Sequence, residues 1–299
     1  PLNRLYSPRC LVSFPRPWTR ALLPRTRMAG SVDALAEWVC PIHFDELDST
    51  QKYVERECAS FDQGKLTVVS ADFQNAGRGT GERTWCATQG QSALMTFYFT
   101  FPSSCSNDFV NRNAPNVTQV LASCAVNVLT ATAMQTCASG VASCRFGVKW
   151  PNDVVVNDHK IGGVLARALF SAGRLDRIIA GIGVNINTSQ ADLDEIKRPV
   201  WPATSLQVVT GRTHDVGAFR RDLSLAFAGA LQTFFVSGFA SFRESLGAMD
   251  VFVGRSVTFR IHETAIEGTY LGTNEEGHIL LRTEGGVQAY PSGEIICCP

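Results

Sequence analysis

The chain has 299 residues, 45 % of them apolar, with 27 basic and 27 acidic side chains. That length and apolar share support a large buried core, as one big domain or a large and a small one, and exclude a disordered or fibrous chain. Six basic residues (Arg4, Arg9, Arg16, Arg20, Arg25, Arg27) stand in the first 32 positions with no acidic neighbour, so the remainder, 21 basic against 27 acidic, is acidic by six. Such a body lacks the clustered Lys and Arg with which a folded surface holds nucleic-acid phosphates.

The Arg- and Pro-rich head cannot bury a core and resembles an organelle transit peptide. The alternative is an untranslated or disordered leader ahead of an initiator at Met28. Residues 1–42 are assigned to this leader. Ten cysteines are scattered with no C-x-x-C pair and no secretory signal, so neither a zinc site nor a disulfide framework is supported, and a reducing interior is expected. Asn113–Cys144 and Leu223–Phe242 carry no charge and are long enough to raise the question of membrane spans. Asn116, Gln119, Asn127 and Gln135 interrupt the first, and Gln232, Ser237 and Gly238 the second, which suits buried helices.

Asp48-Ser49-Thr50, in "DELDSTQKY" (45–53), precedes an apolar helical pattern. It reads either as an ordinary N-cap or as a helix start whose two hydroxyls bond a polar uncharged ligand group such as a ureido ring. Lys65–Phe73 and Ala93–Phe101 are β-branched or aromatic runs, hence strands. Between them lies "GRGTGERTW" (77–85). Gly77, Gly79 and Gly81 let backbone N–H groups approach an anion, and Arg78 adds a fork of donors, but the Lys-Ser or Lys-Thr ending of a P-loop is missing. Its competing reading is a flexible turn, and Trp85 either covers a flat ring or belongs to the core.

Val117, Val120, Leu121, Cys124 and Val128 recur at helical spacing after Pro115. Cys144–Trp150, Val154–Val156, Ile161–Phe170 and Leu175–Ile186 follow as strands joined by short turns. Short turns make antiparallel neighbours, so the fold class is α+β and not a doubly wound sheet. In "KWPNDVVVNDHKIGG" (149–163), Asn157-Asp158 is a hairpin turn. A two-residue turn sets 156 opposite 159, 155 opposite 160 and 153 opposite 162, so Asp153, Val155, Lys160 and Gly162 share a face. Asp153 and Lys160 become diagonal neighbours roughly 7–8 Å apart, with room for a ligand between them. The competing reading is a surface Lys–Asp pair on a plain hairpin. Lys160 would supply the cation that the glycine loop lacks. "GIGVNIN" (181–187) carries Gly181, Gly183 and Asn185, as a ligand-lined or a bulged strand. A second helical region covers Val216–Leu246, broken at Ser237-Gly238. From Val251 short strands at Ser256–Ile261, Ala265–Leu271, His278–Arg282 and Val287–Tyr290 predict a small β barrel.

In this order, from His43 to Ile295, "DST", "FQNAGRGTGERTW", "KWPNDVVVNDHKIGG" and "GIGVNIN" resemble the biotin protein ligases, also called biotin–acetyl-CoA carboxylase ligases or holocarboxylase synthetases. The resemblance implies a class II synthetase-like catalytic domain over 43–250, with a central mixed, largely antiparallel sheet and packed helices, and an SH3-like β barrel over 251–299. It implies activation of biotin by ATP and transfer to a lysine of a biotin carboxyl carrier domain, with Mg²⁺ neutralising the polyphosphate and no protein metal site. Lys160, Arg78 and Asp153 would be catalytic. Ser49, Thr50, Gln51, Gln74, Gly77, Arg78, Gly79, Thr80, Lys160 and Gly162 would contact biotin. Arg78, Arg83, Trp85, Asn152, Lys160 and Asn185 would surround the nucleotide. No nucleic-acid or membrane partner is expected, and the location is intracellular: cytoplasmic, or mitochondrial through the Arg-rich head. Thr80 and Gly81 depart from the two further arginines of many members, Gln51 from a usual Asn, and the head has no room for a winged-helix domain. Lipoate–protein ligase and a non-catalytic biotin or nucleotide sensor are the rival readings.

Overall fold

The computed structural model describes residues 31–81, 83–136, 144–196 and 201–297, so the expectations for residues 1–30 lie outside the described residues. Helix α1 (Val32–Trp38) is capped by Ser31, whose hydroxyl accepts from the Ala34 N–H at 3.2 Å. It runs directly into strand β1 (Val39–Leu47), which lies parallel to β2 (Leu66–Gln74), Val39 opposite Leu66 and Leu47 opposite Gln74. Residues 32–42 therefore belong to the folded body and not to the leader.

Parallel neighbours need a crossover, and α2 (Thr50–Glu57) supplies it. The remaining ladders of the large sheet are antiparallel. Its order is β1-β2-β3-β7-β6-β5-β4, with β3 at Ser92–Thr100, β4 at Phe146–Lys149, β5 at Asp153–Val156, β6 at His159–Ser171 and β7 at Arg174–Asn185.

Alternation along β3 decides where the site lies. Met95, Phe97 and Phe99 face the long helices α4 (Val117–Thr136) and α7 (Val216–Ser237), where they meet Leu121, Phe227 and Leu231; α3 (Asn107–Asn113) leads into α4. Leu94, Thr96 and Tyr98 turn to the other face, which α2 covers only in part; the uncovered part is a cleft. The run Asn107–Gln135 is long and apolar enough to cross a membrane, but 67 % of its apolar 18-residue window is buried inside the protein, as the sequence predicts for a core helix. Helix α7 buries Leu223, Phe227, Leu231 and Phe234 on one stripe and ends at Gly238, whose φ of 64° and position 2.4 Å (as a built Cβ) from Asn113 Oδ1 admit no side chain.

Short helices α5 (Gln190–Asp194) and α6 (Leu206–Thr210) join β7 to α7, and α8 (Arg243–Met249) leads to a second sheet. That sheet has five antiparallel strands, one more than the sequence predicts: β8 (Ser256–Ile261), β9 (Thr264–Thr273), β10 (Ile279–Thr283), β11 (Gly286–Tyr290) and β12 (Glu294–Cys297), ordered β11-β10-β9-β8-β12. Among the described residues its ladders end at β11 and β12. Phe259, Tyr270, Ile279 and Leu281 form its core, and Trp150, from the β4–β5 connection, and Val155 of β5 enter it. The Trp150 indole N–H donates to the Gly277 carbonyl at 3.0 Å, fastening the connection between β4 and β5 to the C-terminal sheet.

Candidate active site

The β5–β6 hairpin turns on Asn157 and Asp158, both at positive φ (47° and 63°). Val156 opposes His159 and Val155 opposes Lys160, as predicted; the register then slips, and Val154 opposes Gly162 while Asp153 opposes Gly163. Ile161 is the extra residue of a β-bulge. Because of it, Ile161 and Val164 both enter the helix-side core, whereas Lys160 and Gly163 turn to the cleft. Gly162, expected in the cleft, is packed instead beneath β7, where a Cβ would meet the Gly183 carbonyl at 2.9 Å. Gly163 takes its place: a Cβ there would lie 3.2 Å from both Cε and Nζ of Lys160.

Lys160 closes directly on Asp153, Nζ to Oδ1 at 2.5 Å, instead of leaving a gap between them. The other carboxylate oxygen is taken by Lys149, Nζ to Oδ2 at 3.2 Å. Burial alone would raise the Asp153 pKa, but the two ammonium groups outweigh it and hold the carboxyl below its usual range. Lys149 is 1 % exposed and its Nζ lies 5.3 Å from the Trp201 ring centroid. The sequence reading passes over Lys149. The available signal was the short connection that sets Lys149 opposite Asp153 across β4 and β5. Residues 202–204 brace Lys160 from outside: its N–H donates to the Pro202 carbonyl at 2.7 Å and its carbonyl accepts from the Thr204 N–H at 2.9 Å. Asn152 lines the cleft, its amide donating to the Val164 carbonyl at 2.7 Å.

The glycine loop is folded on itself. Trp85 N–H donates to the Gly77 carbonyl at 3.1 Å, and Gly79 N–H to the Arg83 carbonyl at 2.7 Å. A Cβ at Gly77 would strike the Trp85 carbonyl at 2.4 Å, so only glycine closes this turn. Arg78, Gly79 and Thr80 reach the cleft mouth, with Arg78 Nη1 3.9 Å from Glu55 of α2. The Trp85 ring lies across the bare backbone of Gly183 and forms one wall. Two residues expected at the nucleotide are not in the cleft wall. Arg83 turns outward to Glu294 of β12 at 3.0 and 3.1 Å, and the Asn185 amide donates to the Thr204 carbonyl at 3.1 Å.

At the other end Ser49 occupies the N-cap position of α2, yet its hydroxyl makes no capping bond. The Thr50 hydroxyl donates to Gln74 Oε1 at 3.0 Å and lies 2.8 Å from the Thr96 hydroxyl; Gln51 Nε2 approaches the Leu165 carbonyl at 3.5 Å. Thr96, absent from the predicted set, stands out only once β3 is seen to face the cleft. Gly181 leaves the floor open beside it, a Cβ there falling 3.6 Å from Thr96 Oγ1. The cleft is thus graded: neutral polar groups at α2, apolar walls of Leu94 and Leu165, and cations with an aromatic face at the hairpin and glycine loop. It suits a ligand with a neutral polar head, an apolar chain and an anionic end. Elsewhere, His43, Asp45 and Asp72 bring possible metal-ligand atoms within 4.8 Å of one another, but Arg220 engages Asp72 at 2.8 Å.

A mixed sheet thus holds a lysine–aspartate hairpin beneath a glycine loop. Residues 44–185 match the biotin/lipoate A/B protein ligase family. The bifunctional ligase/repressor BirA of Bacillus subtilis is 27 % identical over 254 residues, 85 % of this chain and 73 % of that one. The biotin–acetyl-CoA-carboxylase ligase of Paracoccus denitrificans is 30 % identical over 151 residues, 50 % of this chain and 62 % of that one. The structure of biotin protein ligase from Aquifex aeolicus in complex with biotin and ATP is similar at 25 % identity with a TM-score of 0.65, covering 85 % of this chain and 96 % of that one.

Proposed function

We propose that the chain is an ATP-dependent biotin ligase. The biotin carboxylate attacks the α-phosphorus of ATP, forming biotinyl-5′-AMP and releasing pyrophosphate. The amine of an acceptor lysine on a biotin carboxyl carrier domain then attacks the acyl carbon and AMP leaves. The observation that carries this reading is the graded cleft, whose ends match a ureido ring and a carboxylate. Ser49, Thr50, Gln51 and Gln74 receive the ring, and Lys160 and Arg78 face the charge that builds on the phosphoryl oxygens. Asp153, with both oxygens on ammonium groups, is a weak base, so its role is to orient the acceptor amine and not to remove its proton. Asp153 is the one carboxylate lining the cleft among the described residues, so Mg²⁺ fits as the counter-ion of the ATP polyphosphate and not as a resident ion. Among the described residues the thiols at 58, 86, 105, 124 and 144 form no disulfide, which supports an intracellular, reducing location, cytoplasmic or mitochondrial.

The test offers purified protein ATP and Mg²⁺ with either biotin or lipoate and detects the acyl-adenylate by mass. Biotinyl-AMP is expected. An adenylate from lipoate alone would overturn the substrate, and none from either would turn the reading to a ligand sensor.

A further inference from the structure

Lys149 does not line the cleft, yet it is the more deeply buried of the two lysines on Asp153. It closes β4 directly opposite Asp153, with its ammonium between the Asp153 carboxylate and the Trp201 ring, which itself packs on Phe252 at a centroid distance of 5.2 Å. Taking an ammonium out of water is costly, and well-packed apolar residues commonly replace buried ion pairs without loss of stability. Stability therefore does not account for a lysine here. Charge counting does. Two ammonium groups and one carboxylate leave the cluster one positive charge in excess, and the part of it most open to the cleft is Lys160, with 29 % of its side chain exposed against 10 % for Asp153 and 2 % for Lys149.

We propose that Lys149 is a positioning residue that serves as the counter-ion of Asp153, so that the charge of Lys160 is left for the anionic substrate instead of being cancelled by the carboxylate beside it. Without Lys149 the Lys160–Asp153 pair is neutral as a unit and Lys160 is held by Asp153 alone. The inference rests on the assignment of the cleft to an ATP-using ligase, and deepens it by separating the lysine that meets the substrate from the lysine that makes it available.

ATP binding by calorimetry tests it in four proteins: wild type, Lys149→Met, Asp153→Asn and the double variant. The net charge of the cluster is +1, 0, +2 and +1 in that order. Lys149→Met should weaken ATP by about 10–100-fold, the usual cost of losing an outer-shell partner. Asp153→Asn should bind ATP at least as tightly as wild type, and the double variant should return close to wild type. The rate of biotinyl-AMP formation in Lys149→Met should fall through kcat with little change in KM for biotin. If Lys149→Met does not fold, Lys149→Gln takes its place in the same cycle. Wild-type ATP affinity in Lys149→Met, or a double variant no better than Lys149→Met, overturns the inference. Absence of adenylate from biotin in all four proteins, with the ordering of ATP affinities intact, would instead count against the biotin reading alone.

Discussion

Gly183→Ala isolates the contribution of Trp85 to the cleft. Gly183 lies within β7, paired on both sides, with Leu94 of β3 and Gly163 of β6. A methyl group there would sit 2.4, 2.7 and 2.8 Å from Cε2, Cζ2 and Nε1 of Trp85. Carbon atoms in ordinary contact are about 3.5–4.0 Å apart, so one partner must retreat by about 1.1–1.6 Å. The strand is held by two ladders and the tryptophan by a loop, so the ring moves. A displacement of about 1 Å at a reacting site costs on the order of 100-fold, about 2.7 kcal/mol in the barrier. The expected outcome is a fall of about that size in kcat/KM for ATP, measured by pyrophosphate release at saturating biotin, with a shift in tryptophan emission and a cooperative melt retained. Wild-type kinetics in a folded Gly183→Ala protein would refute the placement of this ring at the nucleotide.

Lys160→Ala should abolish biotinyl-AMP formation while the melting transition persists; adenylate at the wild-type rate, read by mass, would remove Lys160 from the mechanism. Thr50→Val deletes the hydroxyl bonded to Gln74 and close to Thr96. The loss of about 1–1.5 kcal/mol should raise KM for biotin roughly 10-fold with kcat little changed, and an unchanged KM would move the ureido end elsewhere. Burial raises the Asp222 carboxyl on α7 to about 6 from an ordinary 3.8. The folded state then holds the proton more tightly than the unfolded state, so this contribution to stability is full below about pH 4 and is lost as pH rises towards 6. The loss is at most about 3 kcal/mol, and about 1–2 after screening at this partly exposed site. Asp222→Asn should match wild type in denaturant midpoint at pH 4 and exceed it at pH 7; parallel pH profiles would contradict the assignment.

Ala93–Phe101 and Ile161–Phe170 were legible because β-branched and aromatic runs bounded by turn residues have few other uses, and the Asn157-Asp158 turn because few residue pairs take positive φ twice. The bulge at Ile161 was not legible. Local sequence does not say which strand carries an extra residue, and here the slip is coupled to Gly183 and to the lysine folded over Gly163. Strand β1 was hidden because its outward positions carry His43, Asp45 and Glu46 and its partner is parallel, so no hairpin turn announces it. The glycine loop was visible as a motif, but the direction of Arg83 depends on a carboxylate 211 residues further along the chain. Thr96 reads as one more polar position on an alternating strand until β7 lies beside it with Gly181.

The bracing of Lys160 by residues 202–204, with Trp201 over Lys149 and Thr204 receiving Asn185, begins beyond position 185, where the family match ends. A fragment stopped there would spell out the reactive groups and lack the brace that steadies them. A cut in that interval would part the reactive lysine from the segment that holds it in place.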